Sequence, residues 1–282
     1  MDLEKFFDNV CQSKLIEVLS RTIKDGRVIS LIHKYMNAGV VSRGLFEKTE
    51  VGVPQGGPLS PLLSNIMLNE LDRELERRGH RFVRYADDCM IFCKSRKSAE
   101  RTLRNILPYI EGNLFLKVNR EKTCVSHISK VKYLGYTFYN HKGFRFRVHT
   151  KSVEKMKKKF KELTNRSKAW SNENRILKLK QFIIGWVNYF KLADMKQLLR
   201  ETDKWLRHRI RAIYWKQWKK LKTRIRKLRN LNLPEWLVFE IANCRKGIWR
   251  SAAVLNRALT NKEIANLGYI SLTGYYLQVC EN

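Results

Sequence analysis

Apolar residues follow two rhythms over the first 150 positions. Around Phe82-Val83, Met90-Ile91-Phe92 and Tyr133-Leu134-Gly135-Tyr136-Thr137-Phe138 they form short β-branched or aromatic runs, which predict strands. Between these, Leu62, Leu63, Ile66, Met67, Leu71 and Leu75 recur at helical spacing. Ser60 as N-cap and Pro61 at the first helical position would start that helix. Beyond residue 150 the period is helical throughout: Phe160 and Leu163, then Phe182, Trp186, Tyr189 and Phe190, then Trp205, Ile210, Ile213 and Trp218. Pro234 is the only proline there. The pattern predicts an α+β or α/β half followed by a helical half, with boundaries near 140–150 and 230–234.

Composition narrows the class. The chain has 282 residues, 44% of them hydrophobic, with 13 Phe, 11 Tyr and 7 Trp, enough for sizeable cores and unlike a disordered chain. Its six cysteines include no C-x-x-C pair and its six histidines no H-E-x-x-H, which predicts free thiols and no structural zinc. The longest apolar runs fall well short of the roughly 20 residues that span a bilayer, and the N-terminus is acidic. A soluble cytoplasmic protein with no membrane partner is expected.

Charge points to the partner. There are 57 Lys+Arg against 26 Asp+Glu, a net of +31. Residues 1–150 carry 26 against 16, whereas residues 151–282 carry 31 against 10. Such a field calls for a polyanion, with nucleic acid first. The densest stretch, Lys216 to Arg229, offers Lys216, Lys219, Lys220, Lys222, Arg224 and Arg226 as candidate RNA contacts. A solvated helix face is the plainer reading of the same residues.

The sharpest local feature is Arg84-Tyr85-Ala86-Asp87-Asp88-Cys89, two acids between runs of strand character, which predicts a β-hairpin with the acids at its turn. An Asp-rich turn is ordinary by itself. A second carboxylate from elsewhere, such as Asp2 in Asp2-Leu3-Glu4-Lys5-Phe6-Phe7-Asp8, would make hard oxygen ligands for divalent cations. In a basic protein that cluster suits two-metal phosphoryl transfer. Between the acids lies Gly52-Val53-Pro54-Gln55-Gly56-Gly57-Pro58-Leu59-Ser60-Pro61, whose glycines allow close backbone approach and whose Gln55 can read a base edge.

In order, the Asp near Phe7, the P-Q-G-G-P-L-S-P-L loop, the Tyr-Ala-Asp-Asp hairpin, Leu116-Lys117-Val118-Asn119 to Lys122-Thr123 and Lys132-Tyr133-Leu134-Gly135 resemble the palm of a reverse transcriptase. With Phe182-Ile183-Ile184-Gly185-Trp186-Val187-Asn188-Tyr189-Phe190 and Trp205 to Trp218, the chain resembles a bacterial group II intron reverse transcriptase/maturase. A retron enzyme would share the hairpin but not the Gly185-to-Phe190 segment.

The resemblance implies an α+β fold: a partial right-hand polymerase palm over 1–145, an all-helical thumb/maturase domain over 146–232, and a basic helical tail over 233–282. It implies RNA-directed DNA polymerase activity with Mg²⁺, and as partners group II intron RNA, template RNA with a DNA primer, and deoxynucleoside triphosphates. Asp2, Asp87 and Asp88 would be the catalytic, metal-holding acids. Phe7 would exclude a ribose 2′-hydroxyl, and Pro54, Gln55, Gly56 and Lys122 would contact nucleotide and template. Tyr133, Leu134 and Gly135 would hold the primer end.

Family members carry a long fingers segment before the first catalytic Asp, whereas only Met1 precedes Asp2 here. A fragment lacking the fingers is therefore expected, with an almost absent strand under Asp2. Residues 235–282 show no paired-cysteine nuclease pattern; Lys246, Arg250 and Arg257 fit a nucleic-acid-binding tail. The alternative reading is a non-enzymatic RNA-binding splicing cofactor or an inactive relic.

Overall fold

The computed structural model describes residues 1–42, 45–47, 51–54 and 56–281, with the side chains of 40–42 and 45–47 set aside. Among these residues the chain is helix-rich with short antiparallel hairpins, and it forms two compact units, Met1–His127 and Ile128–Asn282. No helix among them is long and apolar enough to cross a membrane.

The first unit contains α1 (Phe6–Asn9), α2 (Gln12–Thr22), α3 (Gly26–Met36), a short hairpin of β1 (Val40–Ser42) and β2 (Leu45–Glu47), α4 (Ser60–Arg77), a second hairpin of β3 (Arg81–Tyr85) and β4 (Asp88–Phe92), and α5 (Arg96–Pro108). The apolar stripe of α4 is its reason for being. Leu63, Met67, Leu71 and Leu75 recur every fourth residue and are fully buried with Leu15, Met36, Ile106 and Ile110. Each such side chain contributes about 1.5–3 kcal/mol of transfer free energy. Ser95 caps α5 by accepting from the Ser98 amide.

The start of α4 differs from expectation. The helix begins at Ser60 itself, after Leu59, without a side-chain cap. The Ser60 hydroxyl instead donates to the Pro54 carbonyl and lies 3.3 Å from the Tyr35 hydroxyl, tying the glycine-rich loop down.

The second unit opens with a hairpin of β5 (Tyr136–Asn140) and β6 (Phe144–Val148). Helices α6 (Thr150–Leu163), α7 (Asn172–Phe190), α8 (Lys196–Gln217), α9 (Leu221–Arg229), α10 (Glu235–Ala242), α11 (Gly247–Val254), α12 (Asn261–Asn266) and α13 (Leu272–Glu281) follow. Leu179, Ile183, Val187 and Phe190 of α7 share one core with Leu199, Leu206 and Ile210 of α8 and Met156 and Phe160 of α6. Tyr136 of the hairpin packs on this core, so β5 and β6 cluster with the helices rather than with residues before 128.

Residues 233–282, expected as a basic tail, contribute Val238, Ile241, Leu255 and Leu272, all fully buried, to the same core. Buried Asp203 of α8 fastens them. Its carboxylate accepts from the Ser271 hydroxyl (2.7 Å) and the Leu272 and Thr273 amides (2.9 Å each), at the N-terminus of α13.

Candidate active site

The site in the first unit is assembled by backbone pairing between distant segments. Met1 exchanges two hydrogen bonds with Cys89 of β4, at 2.8 and 3.1 Å. On its other side the same segment pairs antiparallel with residues 117–119. Leu3 bridges Val118, the Glu4 amide donates to the Lys117 carbonyl (2.8 Å), and the Asn119 amide donates to the Asp2 carbonyl (3.0 Å). The segment beneath Asp2, expected from sequence to be almost absent, is thus held on both edges. Leu3 and Cys89 face the core, and the intervening Asp2 stands beside Asp88.

The β3–β4 register pairs Tyr85 with Asp88, leaving Ala86 and Asp87 as a two-residue turn. Ala86 lies at φ 52, a left-handed conformation costing roughly 1–2 kcal/mol for a residue with a Cβ. Arg84 offsets that strain. Its guanidinium donates to the Ala86 carbonyl (3.0 Å) and to Asn65 Oδ1 (3.1 Å). It also grips the Asp72 carboxylate through Nε (2.8 Å) and Nη2 (2.5 Å). Helix α4, which supplies Asn65 and Asp72, therefore fixes the acidic turn.

Lys122 completes the cluster, with Nζ 3.0 Å from Asp2 Oδ2. It is aimed by an Asn119 turn in which Asn119 Oδ1 accepts from the Glu121 and Lys122 amides (3.1 Å each). Burial and the neighbouring carboxylates of Asp87 and Asp2 push the Asp88 carboxyl above its ordinary range. The hydrogen bond and charge of Asp2, with Asp87 and Asp88 behind it, push the Lys122 ammonium up. Asp88 and Lys122 thus both lie within the fields of Asp2 and Asp87.

The donor set fits a hard divalent cation. Asp2 Oδ2 is buried, and the cation that faces it is the Lys122 ammonium at 3.0 Å. Among the described residues no three acid, His or Cys side chains are already gathered as metal ligands; Lys122 stands on Asp2 instead.

The glycine-rich loop packs beside this site's first helix. The Gly52 amide donates to the Val10 carbonyl (2.8 Å) and the Val53 amide to the Phe7 carbonyl (2.7 Å). Gly52 lies at φ 90, where an added Cβ would sit 2.6 Å from the Phe7 carbonyl oxygen. Phe7 is half-buried, edge-on to buried Phe6 at 5.5 Å. Pro54 is held by Ser60, and Gly56 lies at φ 82 with open space around it. Gln55 lies outside the described residues.

The remaining candidates belong to the second unit. Leu134 (φ 49) and Gly135 (φ 83) form a tight turn whose flanks, Tyr133 and Tyr136, bridge each other. The Tyr189 hydroxyl donates to the Leu134 carbonyl (2.9 Å), and a Cβ on Gly135 would press 3.0 Å from the Phe190 ring. Lys219, Lys220, Lys222 and Arg226 are exposed. Lys216 is half-buried, 3.3 Å from the Ser167 hydroxyl. Arg224 is committed inside the unit, donating to the Trp218 carbonyl (2.9 Å) and the Ala242 carbonyl (3.3 Å) with its guanidinium 4.1 Å from the Trp215 ring centre.

Arg84, Asp72 and Asn119 escaped the sequence reading. Arg84 was visible as the basic residue nearest the acids, and Asn119 as an Asx-turn residue three before a lysine, but Asp72 carried no local signal.

Comparison with known proteins adds to this geometry. Residues 1–138 match the family model for reverse transcriptase (RNA-dependent DNA polymerase). Residues 153–231 match the group II intron, maturase-specific domain. The chain is similar to Protein YkfC of Escherichia coli (32% identical, covering 52% of this chain and 46% of the relative). It is also similar to the group II intron-encoded protein LtrA of Lactococcus lactis (28%; 48% and 33%) and to the retron Ec86 reverse transcriptase of Escherichia coli (30%; 45% and 37%). The chain thus spans less than half the length of these curated relatives.

Proposed function

The chain belongs to the group II intron reverse transcriptase/maturase family, and from that membership we propose that it is an RNA-directed DNA polymerase and intron-RNA-binding maturase. The observation that carries the polymerase half is the convergence of Asp2, Asp87, Asp88 and Lys122, drawn from segments up to 120 positions apart, on one electrostatic site. In this reading the first unit serves as palm and the helical unit as thumb and maturase domain. The maturase-specific match and the Gly185-to-Phe190 segment favour this over a retron enzyme.

The family depends on divalent metal, and Mg²⁺ is the ion proposed here. Asp2 and Asp87 would hold it, with Asp88 beside them. When bound, the ion supplies charge neutralisation at the attacking primer hydroxyl and at the leaving pyrophosphate. Lys122, already aimed at the acids, would exchange Asp2 for a phosphate of the deoxynucleoside triphosphate. Phe7, fixed against Phe6, would present bulk against a ribose 2′-hydroxyl. Pro54, Gln55 and Gly56 would contact nucleotide and template, and Tyr133, Leu134 and Gly135 would hold the primer end. Intron RNA would lie on the Lys216, Lys219, Lys220, Lys222 and Arg226 face.

A second reading, a non-enzymatic splicing cofactor, draws support from Lys122 standing on Asp2 in place of a ready metal group. RNA-templated primer extension with deoxynucleoside triphosphates and Mg²⁺ separates the two. The polymerase reading expects cDNA that Asp87→Ala abolishes while RNA binding persists. RNA binding without any extension would leave the cofactor reading.

A further inference from the structure

The helical unit contains a cavity of about 300 Å³ lined by Lys161, Thr164, Asn165, Arg166, Arg209 and Trp249. It lies where the C-terminal end of α6 meets α8 and α11. Three cationic side chains border it and no carboxylate does.

Arg209 is half-buried, with its guanidinium 5.2 Å from the Trp205 ring centre. Its Nε donates to the Thr164 hydroxyl (2.6 Å), and its Nη2 to the carbonyls of Lys161 (3.3 Å) and Thr164 (3.5 Å). Its Nη1 has no acceptor among the described residues. Arg166 is exposed, close enough to depress the Arg209 guanidinium's pKa together with burial, and is in no ion pair among the described residues. Lys216, held to the Ser167 hydroxyl, extends the basic rim to the end of α8.

The same cavity also has an aromatic lining residue. Trp249 is 46% exposed, with the His208 ring packed edge-on at 4.1 Å between centroids. His208 thus supports an indole that remains accessible. A guanidinium pair without a counter-charge, lining the same cavity as a supported and accessible indole, matches the two chemistries of a nucleotide: a phosphate and a flat base.

We propose that this cavity seats one nucleotide of single-stranded RNA, its phosphate on Arg166 and Arg209 and its base against Trp249. The proposal rests on the reading of the helical unit as an RNA binder and assigns it a site apart from the exposed Lys219–Arg226 face. A duplex cannot enter, because its bases are stacked away from the protein; an unpaired loop or bulge can.

The test uses the full chain and a fluorescein-labelled single-stranded RNA decamer, with the same sequence as a blunt duplex for comparison. Trp249→Ala should weaken decamer binding about tenfold and Trp249→Phe much less, and Arg166→Gln should weaken it severalfold, with duplex binding unchanged. Unchanged melting temperatures would exclude unfolding as the cause. Decamer binding that survives Trp249→Ala and Arg166→Gln overturns the cavity assignment and leaves the RNA-binding reading standing. Wild-type chain that binds neither RNA overturns both.

Discussion

The Lys122 ammonium lies 3.0 Å from the buried Oδ2 of Asp2, an ion pair across 120 positions of sequence. One cation therefore already stands on the oxygen proposed to receive another. Lys122→Ala removes this competitor and should tighten Mn²⁺ binding by about fivefold, the scale of a half-exposed pair. The same variant should slow primer extension, because the residue proposed to meet the triphosphate is gone. A Mn²⁺ titration beside an extension assay would read both, and a variant with weaker metal binding would contradict the competition.

Asp88 gives a pH-dependent prediction. Burial, then Asp87 and Asp2, raise its carboxyl in the folded chain. The folded state thus holds the proton more tightly than the unfolded one. The stability contributed is full below the unfolded carboxylate value of about 4 and is lost as pH rises through the raised folded value. Asp88→Asn should raise the melting temperature at pH 7 by about 1–2 °C, a small shift because the residue stays largely exposed despite the partial desolvation of its carboxyl. The difference should vanish near pH 3. A variant less stable than the parent at neutral pH would contradict the assignment of strain to the charged form.

The acidic turn depends on a partner outside it. Asp72→Ala leaves the Arg84 guanidinium, which holds the Ala86 carbonyl, without its two-point carboxylate. We expect a loss of about 2–3 kcal/mol, measured by urea unfolding, and slower extension with RNA affinity unchanged. Unaltered stability would mean that the turn holds itself.

Much of this was legible in the chain. Tyr85 and Cys89, flanking two acids within strand-like runs, foretold the hairpin, although only Asp87 lies in its turn and Asp88 opens β4, and the Leu63-to-Leu75 stripe foretold α4. The pairing of Asp2 with Asn119 was not legible, because it is made by backbone groups that leave no residue pattern. Ser60 read as a cap from its neighbours, but its hydroxyl found a closer acceptor in Pro54, a tertiary contact overriding a local preference. Residues 233–282 read as a tail because their charges are conspicuous, whereas buried residues such as Val238 and Ile241 of α10 and Leu272 of α13 are spread over short helices.

Arg224 separates structure from binding within one basic segment. Its bonds to the Trp218 and Ala242 carbonyls make it a stabilising residue of the second unit. Arg224→Ala should lower the melting temperature and leave the salt dependence of RNA binding unchanged. Alanine at Lys219, Lys220, Lys222 and Arg226 should flatten that dependence by about 0.7 per lost contact on single strands, with little change in stability. Equal effects on both quantities from both variants would erase the distinction.

Asp2 and Asp87 are proposed to form one divalent-cation site. It is tested most directly by the electron paramagnetic resonance signal of free Mn²⁺ titrated into the chain, Asp2→Asn and Asp87→Asn. The parent should bind Mn²⁺ that Mg²⁺ displaces, and each variant should bind it at least about tenfold more weakly. Binding that is the same in all three proteins would contradict the shared site.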